Sequence, residues 1–320
     1  MKNTHDSPLT IHDLRIVFMG TPEFAVASLD ALVNAHCNIV GVVTAPDKPA
    51  GRGMKLNESA VKKYAVENGL KILQPEKLKN PNFLEELRSL NTDVQVVVAF
   101  RMLPEVVWNM PPLGTINVHA SLLPQYRGAA PINWAIINAE KETGVTTFKL
   151  QQEIDTGNIL LQEKITIGED ETAGELHDRM KLLGANLLVK TIKGLAEGTI
   201  KETNQSEIRN PKSEILHHAP KIFTETCKID WHKTIDEIHN FIRGLSPYPG
   251  AFTYLNNKML KIYRSKKEVS LNAFKNGSVH SDGKTYLKFA CSNGFIHVID
   301  MQLEGKKRMN VEDFLRGYRI

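Results

Sequence analysis

Apolar runs of strand length recur through the first part of the chain: Leu14–Met19, Asn38–Thr44, Lys71–Leu73, Asp93–Phe100 and Gly114–His119. Stretches with helical signals lie between most of them. After Gly20, Pro22 and Glu23 suit the first turn of a helix reaching about Ala35, because proline is tolerated there and acid favours a helix N-terminus. Asn57–Asn68 reads as a helix closed by Gly69, and Pro81–Leu90 as another. Strands alternating with helices at this spacing predict an α/β fold with a parallel sheet. Such sheets take ligands beyond the C-terminal ends of their strands, which is where His119 falls.

The texture then changes. Gly144–Gln151 and Ile159–Ile167 alternate and could pair, and Thr172–Glu197 predicts a long helix. Gly198–Pro211 is polar and lacks apolar periodicity, so it reads as a linker. Beyond it come Met259–Arg264, Thr285–Ala290 and Phe295–Met301, separated by Asn-Asn, Asn-Gly, Asp-Gly and Asn-Gly. Short strands with such turns predict a small C-terminal β-barrel. At 320 residues two domains are expected, residues 1–205 and 206–320 with the linker at about 198–211.

Charge divides along the same line. Residues 1–205 carry 21 Lys and Arg against 24 Asp and Glu, whereas residues 206–320 carry 19 against 12. A basic rear domain suits a polyanion, although solvated surface lysine gives the same count. No apolar run approaches the length of a bilayer crossing. The first thirteen residues, with one Lys and no Arg, read as a polar extension, neither a signal nor a transit peptide. Cys37, Cys227 and Cys291 lack metal-binding spacing and read as buried thiols in a reducing, cytoplasmic setting.

Chemistry concentrates in residues 117–128, Asn-Val-His-Ala-Ser-Leu-Leu-Pro-Gln-Tyr-Arg-Gly. Along a strand, side chains alternate, so Asn117 and His119 share a face while Val118 points the other way. An amide can hydrogen-bond a developing oxyanion and an imidazole can handle a proton, which suits acyl-type chemistry. The loop Ser121-Leu122-Leu123-Pro124 could hold the edge of a flat ligand. Asp155, 36 residues after His119 in Asp-Thr-Gly, is the best carboxylate partner for the imidazole, though the same triplet is ordinary turn chemistry. One histidine and one carboxylate are too thin a ligand set for a catalytic zinc. Gly20-Thr-Pro-Glu-Phe24 occupies the turn where dinucleotide enzymes carry further glycines, and their absence argues against such a cofactor. The Pro46–Lys55 loop, rich in Pro, Gly and cations, is either a charged connector or an approach to phosphates through Arg52 and Lys55.

Together these runs resemble the methionyl-tRNA formyltransferases, from Arg15 to Phe314-Leu-Arg-Gly317. The most specific parts are Asn117-Val-His119, Ser121-Leu-Leu-Pro124, Tyr126-Arg-Gly-Ala-Ala-Pro131 and Asp155-Thr-Gly157. The resemblance implies a Rossmann-like catalytic domain, an oligonucleotide-binding-like (OB-like) C-terminal domain that grips tRNA, and 10-formyltetrahydrofolate as co-substrate, with no metal. It implies Asn117, His119 and Asp155 as the catalytic trio. Ser121, Leu122, Leu123 and Pro124 match its folate-binding stretch, and Phe100, Arg101, Met102 and Leu103 one wall of the pteridine pocket. Arg52 matches the basic member of a loop reaching the tRNA acceptor end. Position 120 is Ala where many relatives have Gly, and position 101 is Arg where relatives often carry a small residue. The implied partners are initiator methionyl-tRNA and folate, not a membrane, for an enzyme expected to be a cytoplasmic monomer.

Two rivals remain at this level. Relatives that formylate a small amine, such as glycinamide ribonucleotide or an amino-sugar nucleotide, share the trio; the basic rear domain and the Gly51-Arg52-Gly53 loop favour tRNA. A non-catalytic RNA-binding protein would leave the trio unexplained.

Overall fold

The computed structural model describes residues 10–50, 55–208, 215–270 and 274–319. The chain forms two compact units. One comprises Met1–Arg127, Gly144–Ile165 and Asp178–His217; the other comprises Gly128–Thr143, Thr166–His177 and His218–Ile320.

The first unit is built on a seven-stranded sheet. Its strands are β1 (Arg15–Gly20), β2 (Asn38–Val43), β3 (Ile72–Leu73), β4 (Val94–Val98), β5 (Thr115–His119), β6 (Glu142–Lys149) and β7 (Ile159–Thr166), in the spatial order β7-β6-β5-β4-β1-β2-β3. The run from β5 to β3 is parallel, as the alternation predicts, and β6 joins β5 antiparallel. Strand order reverses on either side of β1, and such a switch point opens a crevice at the strands' C-terminal ends.

Helices α1 (Glu23–Asn34), α2 (Ala60–Glu67) and α3 (Pro81–Ser89) connect the parallel strands. Gly20 lets α1 leave β1 closely: a Cβ there would stand 2.6 Å from Ala25 and 2.9 Å from Phe18. Helix α2 starts later than the sequence reading, because Lys55–Asn57 is spent pairing antiparallel with Lys48–Ala50. Ser59 then caps the helix, its hydroxyl accepting from the Lys62 N–H. Strand β4 is buried along its whole length. Val17, Met19, Val43, Leu73, Phe83, Leu87 and Val97 share one core with Val107.

The second unit holds an antiparallel sheet of β8 (Ala251–Leu255), β9 (Lys258–Val269), β10 (Val279–Ser281), β11 (Leu287–Cys291) and β12 (Gly294–Leu303), ordered β8-β9-β12-β11-β10. Met309–Asn310 also pairs with β12. Asn256 and Asn257, both at positive φ, turn β8 into β9, as Asn-Asn predicts. Register shifts around Ile262–Ser265 bend the long β9–β12 pair. Among the described residues the outer strands β8 and β10 do not pair, so the sheet is a half-barrel. Ile235, Ile238 and Ile242, spaced at i, i+3 and i+7 on the helix Ile235–Gly244, bury against it.

Segments 128–143 and 166–177 belong with this unit through long-range polar contacts. The buried Arg243 guanidinium donates to the Gly168 and Glu171 carbonyls at 3.2 and 3.0 Å, and Asn133 donates to the Gly244 carbonyl at 2.7 Å. The same helix opens with a capping box: the Thr234 hydroxyl accepts from the Glu237 N–H while the Glu237 carboxylate accepts from the Thr234 N–H and O–H. These bonds pull the Glu237 carboxyl down to about 2. Because the folded value is depressed, the cap is intact at neutral pH and fails only as pH falls below the ordinary carboxylate range. Thr234→Ala should lower stability by about 1 kcal/mol at neutral pH, read as a reduced denaturation midpoint with an unchanged m-value.

Candidate active site

Register brings the candidate residues to one edge of the first sheet. Gly20 pairs with Val98, Val97 with Asn117, and His119 with Thr146. Thr21, Phe100 and the residues after His119 therefore leave the sheet side by side at the C-terminal edge. Val118 faces the other way and packs against Gly184 of the helix Ala173–Ala196. Asn117 is partly exposed, and its amide has no protein hydrogen-bond partner among the described residues. His119 is only 7% exposed, with Phe148 edge-on at 6.4 Å between ring centres.

The ring of His119 is oriented from both sides. Its Nε2 lies 2.9 Å from the Tyr126 carbonyl oxygen, and a carbonyl only accepts, so Nε2 carries a proton and donates. Nδ1 then faces Asp155, whose Oδ2 is 3.8 Å away. This is ion-pair range, and longer than a direct hydrogen bond. The approach across 36 residues follows from topology: β6 runs back antiparallel beside β5, and the turn after it returns Asp155 to the end of β5. Asp155 takes φ +55°, a left-handed conformation that Asp tolerates better than most residues. Gly157 is pressed so closely on the end of β6 that a Cβ would stand 1.7 Å from the Lys149 carbonyl oxygen, which only glycine permits.

Loop 121–126 is pinned from beneath by residues the sequence reading missed. The Thr146 hydroxyl donates to the Ser121 carbonyl at 2.6 Å and accepts from the Leu123 N–H at 3.1 Å and the Gln162 amide at 2.9 Å. Gln162 also donates to the Leu123 carbonyl, and the Ser121 hydroxyl donates to the Gln125 carbonyl. Leu123 is 1% exposed and packs with Phe148 and Ile159, while Leu122 lies over Gly144. Pro124 is buried behind a cis peptide bond. On the far side, Tyr126 stacks on His217 and donates its N–H to the His217 carbonyl at 2.7 Å. No single-residue signal marks Thr146 or Gln162; their only hint is that Thr146 lies on the strand that returns beside His119.

Two clefts open at this edge. One, of about 350 Å³, is lined by Thr21, Ala45, Pro46, Asp47, Lys48, Glu76, Phe100 and Arg101, at the switch point beside β1. A shallower one, of about 560 Å³, runs over Lys77, Leu78, Lys79, Arg101, Met102, Leu103 and Pro104. Arg101 borders both. Its guanidinium reaches the Pro75 and Glu76 carbonyls and lies 5.4 Å from the Phe100 ring centre. Met102 is 75% exposed and Leu103 is buried in the core. Asn117, His119 and Asp155 line neither cleft; they stand one strand further along the edge. Asp47 is tied to Lys62 and to the Gln74 amide, which hold its carboxyl below the usual range and fix the rim of the first cleft.

Arg52 lies outside the described residues, and Lys55 opens the short strand Lys55–Asn57 opposite Ala50. Among the described residues no group of three His, Cys, Asp or Glu is placed to hold a metal ion, and no helix is long and apolar enough to cross a membrane.

An amide and an imidazole–carboxylate pair beside open clefts at a switch point fit transfer of a small acyl group onto an amine, and comparison with known proteins gives the same chemistry. Residues 14–192 match the family model described as formyl transferase, and residues 221–319 that described as formyl transferase, C-terminal domain. A methionyl-tRNA formyltransferase of Parabacteroides distasonis is 54% identical over 313 residues, covering 96% of each chain. One of Azobacteroides pseudotrichonymphae is 56% identical over 319 residues, covering 97% of each. Among solved structures, an N-formyltransferase from Helicobacter canadensis in complex with folinic acid and dTDP-3-aminofucose is similar at TM-score 0.66 and 24% identity, over 89% of this chain and 98% of that one. At that identity the likeness speaks for the fold alone. With both halves matched and more than half of all residues shared along nearly the full length of such relatives, this chain belongs to the methionyl-tRNA formyltransferase family.

Proposed function

We propose that this chain transfers the formyl group of 10-formyltetrahydrofolate to the α-amino group of methionine esterified to initiator tRNA, with Asn117, His119 and Asp155 as its catalytic residues. The observation that carries the reading is a pairing: in a chain more than half identical to methionyl-tRNA formyltransferases, an imidazole and a carboxylate stand 3.8 Å apart beside a strand amide.

An α-amino group titrates near ~7.7, so much of it is neutral at physiological pH and needs no strong base to become nucleophilic. The folate, when bound, supplies a formyl carbon activated on nitrogen. As the amine nitrogen bonds to that carbon, the bond from carbon to the donor nitrogen breaks, and one proton passes from the amine to the departing nitrogen. Asn117 donates its amide N–H to the formyl oxygen as negative charge grows there. His119, with Nε2 committed to Tyr126, uses Nδ1 to hold and move the proton, and Asp155 stabilises the ring while it is charged. The fixed main chain of 121–124 and the wall of Phe100, Arg101, Met102 and Leu103 suit the folate. Arg52 and Lys55 suit the acceptor-end phosphates, residues 1–205 suit the catalytic domain, and residues 206–320, with 19 cations against 12 acids, suit the body of the tRNA. We infer further that the enzyme acts as a cytoplasmic monomer.

The test offers purified protein a labelled 10-formyl donor with initiator methionyl-tRNA, glycinamide ribonucleotide or an amino-sugar nucleotide. Label on the methionyl-tRNA alone is expected. Label on a small amine alone would move the enzyme to another formyltransferase branch, and label on none would make it a non-catalytic RNA binder.

A further inference from the structure

We propose that Gln205 is a positioning residue for the transfer, acting through Asp155; this rests on the catalytic reading above. Gln205 falls in the stretch that reads from sequence as a linker, yet it is 3% exposed and sits on the short 3-10 turn Gln205–Glu207. Its side-chain amide is fully used. The two N–H bonds go to the main-chain carbonyls of Asp155 and Gly157 at 2.9 and 2.8 Å. Its oxygen accepts from Arg127 through Nε at 3.0 Å and Nη2 at 2.6 Å.

These bonds close a ring. Asp155 faces Nδ1 of His119, Nε2 of His119 donates to the Tyr126 carbonyl, Arg127 follows Tyr126 in the chain, and Gln205 ties Arg127 back to the backbone of Asp155. One buried amide therefore sets the distance between the carboxylate's turn and the strand-end loop that aims the imidazole. Asp155 is left-handed and Gly157 is pressed on the end of β6, and the Gln205 amide donates to the carbonyls of both. A glutamine suits the place where a carboxylate would not: it accepts from Arg127 on one side and donates twice on the other.

The experiment measures kcat and both KM values for wild type, Gln205→Ala, Gln205→Glu, Asp155→Asn and the double variant Gln205→Ala/Asp155→Asn, with a thermal melt of each. Gln205→Ala should lower kcat about 10- to 100-fold, the scale of a misplacement of about 1 Å, and leave each KM within about twofold. In the Asp155→Asn background the same change should cost less than about twofold, since the group it positions is already disabled. Gln205→Glu keeps an acceptor for Arg127 but has no N–H for the two carbonyls, and should fall as far as Gln205→Ala; it carries the test alone if the alanine variant does not fold. Wild-type kcat in either variant, or full multiplication of the two losses in the double variant, would overturn the proposal. Rates are compared on whichever acceptor the wild type formylates, so an error in the acceptor would show in that control and leave the Gln205 comparison readable.

Discussion

Asn117→Ala should lower formyl-transfer turnover about 100- to 1000-fold, the usual consequence of losing one preorganised donor to a developing oxyanion. The side chain sits on a strand whose backbone is locked between β4 and β6, and no protein group satisfies its amide among the described residues. Its removal therefore takes away a donor without breaking an internal bond. Both KM values and the melting temperature should stay close to wild type, so the loss appears in kcat. Asn117→Asp, which keeps the shape but presents charge to the formyl oxygen, should be no better than alanine. Turnover equal to wild type in Asn117→Ala would remove this residue from the mechanism.

His119→Ala should cost about 100- to 10,000-fold in turnover, the range for a positioned proton-transfer group. Here a structural effect accompanies the chemical one. The ring is 7% exposed and its Nε2–H donates to the Tyr126 carbonyl, so alanine also removes a buried hydrogen bond, at about 0.5–1.5 kcal/mol. The prediction is a lower melting temperature together with a kcat loss that persists at temperatures where the variant is fully folded. A rate that recovers on cooling would reduce His119 to a structural role.

Much of this arrangement is legible in the sequence. The apolar runs placed β1, β2, β4 and β5 within a residue or two of their ends, and alternation along β5 put Asn117 and His119 on one face with Val118 opposite. What could not be read was contact across the chain. Nothing local to Thr146, Gln162 or Gln205 distinguishes a side chain that braces a loop from one that faces water; each gains its partners only when strands distant in sequence become neighbours. For the same reason, Arg243 and Asn133, which help tie 128–143 and 166–177 to the second unit, find acceptors that lie 72 to 111 residues away. Pairing of Lys48–Ala50 with Lys55–Asn57 overrode a plausible early helix start, because a two-sided backbone ladder competes directly with the first helical turn.

The central claim is that a carboxylate and an imidazole at the end of β5 act together on the transferring group, and single-turnover kinetics of Asp155→Asn test it most directly. The substitution preserves shape and removes only the charge facing Nδ1. With folate donor and methionyl-tRNA both saturating, the transfer step should slow by about 100-fold while the dissociation constants of both substrates stay within about twofold of wild type. A transfer step as fast as wild type, or a defect confined to substrate binding, would contradict the account.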